Sequence, residues 1–182
     1  MRRFTSSFLA ALLLLVCSQA AFADKAIVVA LGASQTYGTG YGRSVGSGVD
    51  PSQAFPAQLE ALLRAKGVDA HVINAGRMGD TTYNVLSRLD SDVPAGTKVA
   101  IFEGSMNDSE KGLGGQTRDN INAIFSKLRG RNIKIVNIPQ DRVHREIYLN
   151  DSLMNGDHPN AAGHAKIAAW LLPLVLSALR GK

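Results

Sequence analysis

The chain has 182 residues, 45% of them hydrophobic, with 20 Lys+Arg against 15 Asp+Glu and one cysteine, Cys17. That length suits one well-packed domain rather than several. Its basic residues are scattered apart from a loose Lys127, Arg129, Arg131 and Lys134 set, the pattern of a solvated helix face and its following turn, so the composition gives no ground for nucleic-acid binding.

The N-terminus has the three parts of an export signal: Arg2 and Arg3, an apolar run from Phe8 to Val16, and a small-x-small site at Ala21-Phe22-Ala23. The apolar run falls short of the ~20 residues a membrane-spanning helix needs, so no stable membrane anchor is expected. The bulky Val16 before Cys17 disfavours lipid attachment there. Residues 1–23 are therefore expected to be a cleaved signal peptide and residues 24–182 a single domain in the periplasm or secreted. Cleavage after Ala23 lowers Lys+Arg from 20 to 18 against 15 acidic residues, a net charge near +3. It also removes the cysteine, and with it thiol chemistry, disulfides and cysteine-ligated metal.

Ala26 to Leu31 is continuously apolar, and Val68–Ile73, Val99–Phe102 and Ile133–Ile138 are similar, as in strands of a parallel sheet buried on both faces. Helical spacing lies between them: Leu59, Leu62 and Leu63 within Pro56–Lys66, stopped by Gly67; Val85, Leu86 and Leu89 within Thr81–Leu89; and Ile121, Ile124, Phe125 and Leu128 within Thr117–Arg129. A last helix runs from Asn160 to Leu179, with Pro173 expected to kink it. Alternating strands and helices predict an α/β domain with helices on both faces of a mostly parallel sheet of about five strands, the fifth a brief one near Ile147-Tyr148-Leu149. In such sheets the site forms beyond the carboxyl ends of the strands. The glycines of Gly38-Thr39-Gly40-Tyr41-Gly42 lack dinucleotide-binding spacing and lie too far from the strand, and there is no Walker A sequence.

Ser34, Gly76 and Asn107 each fall just past a predicted strand end, and His158 stands at the entrance of the last helix. Ser34 follows the small residues Gly32 and Ala33, as an exposed nucleophile requires. Gly76 lets a backbone N–H approach a substrate closely, and Asn107 offers a side-chain amide to a developing oxyanion. Asn155, three residues before His158, has the spacing to reach the ring nitrogen distal to the serine. Asp157, adjacent to His158, reaches it only through an unusual loop shape. His71, His144 and His164 read as structural.

Together these segments resemble the SGNH (GDSL-type) hydrolases, arylesterase and lysophospholipase branch, over nearly all of the chain after the signal. Leu31-Gly32-Ala33-Ser34 is similar to the nucleophile block, Asn74-Ala75-Gly76 with Gly79-Asp80-Thr81-Thr82 to the glycine block, Phe102 to Asp108 to the asparagine block, and Asn155 to Pro159 to the histidine block. The resemblance implies a flavodoxin-like three-layer α/β/α sandwich, a Ser34 nucleophile, a His158 base, and an oxyanion hole from the N–H groups of Ser34 and Gly76 and the Asn107 amide. It implies neither metal nor organic cofactor.

Three positions depart from the family pattern. Ala33 replaces the aspartate of Gly-Asp-Ser, and Ser105 replaces the glycine before x-Asn-Asp. Asn155 replaces the aspartate that orients the histidine. In a chymotrypsin-type triad, aspartate to asparagine costs about 10⁴ in kcat, although an asparagine carbonyl can hold the right tautomer in Cys-His-Asn enzymes. The short stretch between Asn107 and His158 predicts an open site without a deep long-chain pocket. The expectation is a slow serine ester hydrolase acting on a small-molecule ester, of arylesterase, lysophospholipase or thioesterase type. The alternatives are a silent relative that binds an acylated or sugar ligand, and a carbohydrate O-acetyl esterase.

Overall fold

The computed structural model describes residues 25–38, 48–104, 107–153 and 156–181. The expected signal segment, most of the glycine-rich loop and Asn155 lie outside the described residues. In chain order the elements are β1 (Ala26–Gly32), α1 (Ser34–Tyr37), α2 (Phe55–Ala65), β2 (Ala70–Gly76), α3 (Thr82–Ser87), α4 (Leu89–Asp92) and β3 (Thr97–Phe102). These are followed by α5 (Asn107–Glu110), α6 (Thr117–Gly130), β4 (Lys134–Asn137), α7 (Gln140–Arg142), a π turn over Val143–Ile147, α8 (Tyr148–Asn150) and α9 (Ala161–Leu179).

The described strands form one parallel sheet in the order β2-β1-β3-β4, with β1 registered against β2 on one side and β3 on the other. Side chains alternate across a strand, so continuous apolarity in β1 supplies two cores at once. Val28 and Ala30 face a core shared with Phe55, Leu59 and Leu63 of α2 and Ile167, Leu171 and Val175 of α9. Val29 and Leu31 face the opposite core, with Val85, Leu89, Ile124 and Leu128 from α3, α4 and α6. This is the three-layer sandwich, and fully burying each Leu, Ile or Val contributes about 1.5–3 kcal/mol. By length and composition α9 could cross a membrane, yet its Ile167, Leu171 and Val175 are spent in the core beside α2.

The structure corrects two expectations about elements. The second strand begins at Ala70 rather than Val68 and runs on through Gly76, so Gly76 is its last residue. The stretch expected to form a brief fifth strand is helical instead. Ile147 is fully buried while Leu149 is 80% exposed; in a strand, residues two apart would share a face.

Candidate active site

β1 ends at Gly32, and the chain turns through Ala33 into the single turn α1, which Gly38 ends with φ 98. Ser34 is the first residue of that turn. Its Oγ lies 2.7 Å from Nε2 of His158. The other ring nitrogen, Nδ1, is 2.8 Å from Oδ1 of Asp157. With Nδ1–H donating to that carboxylate, Nε2 is the lone-pair nitrogen facing the serine hydroxyl, the tautomer a general base needs.

The histidine loop is folded back on itself. Ser152 and Pro159 form an antiparallel bridge, Leu153 N–H donates to the His158 carbonyl at 2.8 Å, and Asn160 N–H donates to the Asp151 carbonyl at 2.8 Å. Asn160 also caps α9, its Oδ1 accepting from Gly163 N–H at 2.9 Å. Gly156, with φ 75, precedes Asp157. This left-handed residue gives the loop the unusual shape that brings an adjacent carboxylate onto the ring. Asp157 thus accepts from the ring nitrogen distal to Ser34, the atom that Asn155 was expected to orient.

Asn107 opens α5 and lines the cleft together with Ser34, Gln35, Glu103, Glu110, Tyr148, Asp157 and His158. Its amide donates to the Asp80 carbonyl at 2.7 Å, which fixes its plane against the loop after β2. Arg88 in turn ties that loop to the end of β1. The guanidinium, 8% exposed, donates to Asp80 Oδ2 at 2.7 Å and to the Gly32 carbonyl at 3.0 Å, and also pairs with Asp92. Asp108 is buried and accepts from the Thr82 backbone N–H at 2.9 Å and the Thr82 hydroxyl at 2.5 Å, so the Asn-Asp pair joins α5 to α3.

Gly76, expected to offer an oxyanion N–H, packs against the turn that carries Ser34. Its N–H is engaged by Asn74 Oδ1 at 3.0 Å. A Cβ here would meet Tyr37 N at 2.3 Å and Ala33 O at 2.9 Å. Its missing side chain lets the turn that carries Ser34 lie directly on β2.

Arg88 and Glu103 were not singled out from sequence, and Asp157 was expected to reach the ring only through an unusual loop shape. Glu103 follows β3 and is buried beneath α1. Burial pushes its carboxyl above the usual range, against hydrogen bonds from Thr36 and Ala33 and the nearby His158, which pull the other way. Burial likewise raises the Tyr148 phenol to about 12, with the Glu103 and Asp157 charges adding to it. The Tyr148 hydroxyl donates to Gln35 Oε1 at 3.2 Å. Among the described residues no group of three or more His, Cys, Asp or Glu side chains is placed to hold a metal ion.

A model of the GDSL-like lipase/acylhydrolase family matches residues 30–150. The chain belongs to this family. The matched span stops short of His158, and the structure supplies that residue by placing it on Ser34. Over 98 residues the chain is 31% identical to esterase TesA of Pseudomonas aeruginosa, a match covering 51% of this chain and 47% of that protein, so it spans about half the length of this curated relative. The fold is similar to that of the psychrotrophic esterase EstA from a Pseudoalteromonas species, with a TM-score of 0.69 and 16% identity over 85% of this chain and 98% of that one. It is also similar to AlinE4, an SGNH-hydrolase family esterase, with a TM-score of 0.55 and 26% identity over 86% and 97% of the two chains. The GDSL-like family is thereby reached from sequence and fold independently of the site geometry.

Proposed function

We propose that this GDSL-like family member is a serine hydrolase of carboxylic esters with short acyl groups. The observation that carries the reading is the 2.7 Å approach of Ser34 Oγ to His158 Nε2, in a cleft that Asn107 also lines. The Ser34 proton passes to Nε2 as Oγ bonds to the ester carbonyl carbon, and the carbonyl electron pair moves onto oxygen. The Ser34 N–H and the Asn107 amide donate to that oxyanion. The tetrahedral species then collapses, its carbon–alkoxide bond breaks, and imidazolium returns the proton to the departing alkoxide. Water repeats the cycle on the acyl-serine and releases the acid. Asp157 holds Nδ1–H throughout and stabilises the imidazolium.

The cleft supports the substrate class. Its volume is about 120 Å³, and Gln35, Tyr148, Glu103, Glu110 and Asp157 line it. That is room for an acetyl or propionyl group rather than a long alkyl chain. Carboxyl groups on the walls oppose anionic esters, so phosphate-bearing lysophospholipids and coenzyme A thioesters rank below neutral aryl or sugar acetates. The basic, apolar and small-x-small parts of the N-terminus support export to the periplasm or beyond.

The test is hydrolysis of p-nitrophenyl acetate through octanoate by the wild type beside Ser34→Ala. A rate that peaks at the shortest chains and vanishes in the variant is expected. Equal background rates for both proteins would remove the hydrolase reading in favour of a silent binder.

A further inference from the structure

Ser34 must present its hydroxyl at one place while the turn that carries it has only four helical residues and no side-chain cap of its own. We propose that Glu103 is the positioning residue that supplies this support, gripping the nucleophile turn from below on both sides of Ser34. The proposal rests on the hydrolase reading above and concerns how that same site is kept in geometry.

Oε2 of Glu103 accepts the Ala33 N–H at 3.1 Å and the Thr36 N–H at 2.9 Å. It also accepts the Thr36 hydroxyl. One carboxyl oxygen therefore takes donors from the residue before Ser34 and from the residue two after it. Glu103 is itself anchored to the nucleophile strand, because its N–H donates to the Leu31 carbonyl at 2.9 Å. It is 4% exposed, so these bonds meet little competition from water, and a buried polar group left without them is strongly disfavoured.

A second observation is the shape of the space around it. A Cβ on Gly32 would lie 2.2 Å from Thr36 Oγ1 and 2.3 Å from Glu103 Oε2. Gly32 does not have a positive φ; its lack of a side chain serves to admit the carboxyl. The aspartate of the family's Gly-Asp-Ser is Ala33 here, and Ala33 has no side-chain oxygen with which to brace the turn. Its backbone N–H is what Glu103 holds. The carboxyl also borders the cleft, so its displacement is felt at the nucleophile rather than at a distance.

The experiment measures kcat and KM separately on p-nitrophenyl acetate for the wild type, Glu103→Ala, Glu103→Gln, Thr36→Val and Gly32→Ala, with thermal melting of each. A misplacement of about 1 Å at a reacting group costs about 10²-fold, so Glu103→Ala is expected to lose about that much kcat with KM changed by less than about threefold. An amide oxygen accepts the same bonds, so Glu103→Gln is expected to recover at least about tenfold over Glu103→Ala. Thr36→Val, which removes one of three bonds and no shape, should lose only a few-fold. Gly32→Ala should mimic Glu103→Ala. If Glu103→Ala does not fold, the Gln, Val and Gly32 variants decide. The proposal is overturned if Glu103→Ala keeps wild-type kcat, if Ala and Gln lose equally, or if the loss falls on KM alone. Wild type indistinguishable from Ser34→Ala would instead sink the hydrolase reading itself.

Discussion

Ser34 and His158 lie 124 positions apart in the chain and meet at 2.7 Å, but the two sides of that contact are held in place differently. Ser34 stands at the end of the central strand, with Arg88 on the Gly32 carbonyl, Glu103 under the turn and Gly76 packed against its flank. Every one of these supports comes from a distant part of the sequence. His158 sits on a loop closed by its own neighbours, from Asp151 to Asn160, with the Asp157 carboxylate on its ring. The serine side is therefore a property of the whole sheet, whereas the histidine side depends on a few local bonds. Substitutions on the first side should disturb stability together with rate, and those on the second should disturb rate alone.

The largest effect expected on the histidine side is from Asp157→Asn. Losing the carboxylate on Nδ1 favours the wrong tautomer and costs up to about 10⁴ in kcat, with an unchanged melting temperature because Asp157 is half-exposed. Asn155→Ala should cost under about tenfold if Asp157 is the orienting group. A reversed ranking of the two variants would return that role to Asn155.

Arg88→Met tests the serine side. It leaves Asp80 and Asp92, 15% and 13% exposed, without the buried cation between them, and breaking such a pair typically destabilises by about 3–5 kcal/mol. Urea unfolding should show the loss in midpoint, and kcat should fall with it because Asp80 also holds Asn107. Retained stability would mean that the two carboxylates relax into water and that the network is not a tie. Asn107→Ala removes an oxyanion donor and should cost about 10²–10³ in kcat with little change in KM; a change in KM alone would make Asn107 a binding residue.

The same contrast decides what could be read from the chain. The strands were legible because both faces of each are buried, so apolarity runs unbroken from Ala26 to Leu31 and through Val99 to Phe102. Ser34, Asn107 and His158 were legible because each sits beside a strand end or helix start that its neighbours announce. Glu103 was not, because nothing local separates a carboxylate that accepts three bonds from any acidic residue after a strand. Arg88 reads from sequence as one more exposed helix cation. The packing role of Gly76 was not legible, since a glycine admitting a packed turn and one admitting a substrate leave the same mark. Asp157 reads as a neighbour that reaches the ring only through an unusual loop shape, because adjacent side chains usually diverge, and the turn at Gly156 supplies that shape. Ile147 to Leu149 reads as a strand by residue type, but its burial follows the helical packing of Val143 and Ile147 against the core.

A last prediction separates the two buried histidines near the site. His164, 1% exposed, accepts the Phe55 N–H on Nδ1 at 3.2 Å and so links the start of α9 to the start of α2. Burial, with a smaller contribution from the charge on His158, pushes its pKa down to about 4 from 6.5. Below pH 6.5 the unfolded chain therefore takes up a proton that the folded chain refuses. Stability is full above that value and declines as pH falls towards about 4, by about 3 kcal/mol in all. Urea unfolding at pH 7.5, 5.5 and 4.5 should show this decline, and His164→Gln, which keeps an acceptor for Phe55 but cannot titrate, should flatten it. A slope unchanged in the variant would assign the acid sensitivity to the carboxylates instead. Because the hydrogen bond of the His164 ring is to the Phe55 backbone rather than to Ser34, the variant's acid limb of kcat/KM should remain that of the wild type while its stability profile changes, which distinguishes a histidine that joins helices from one that moves protons.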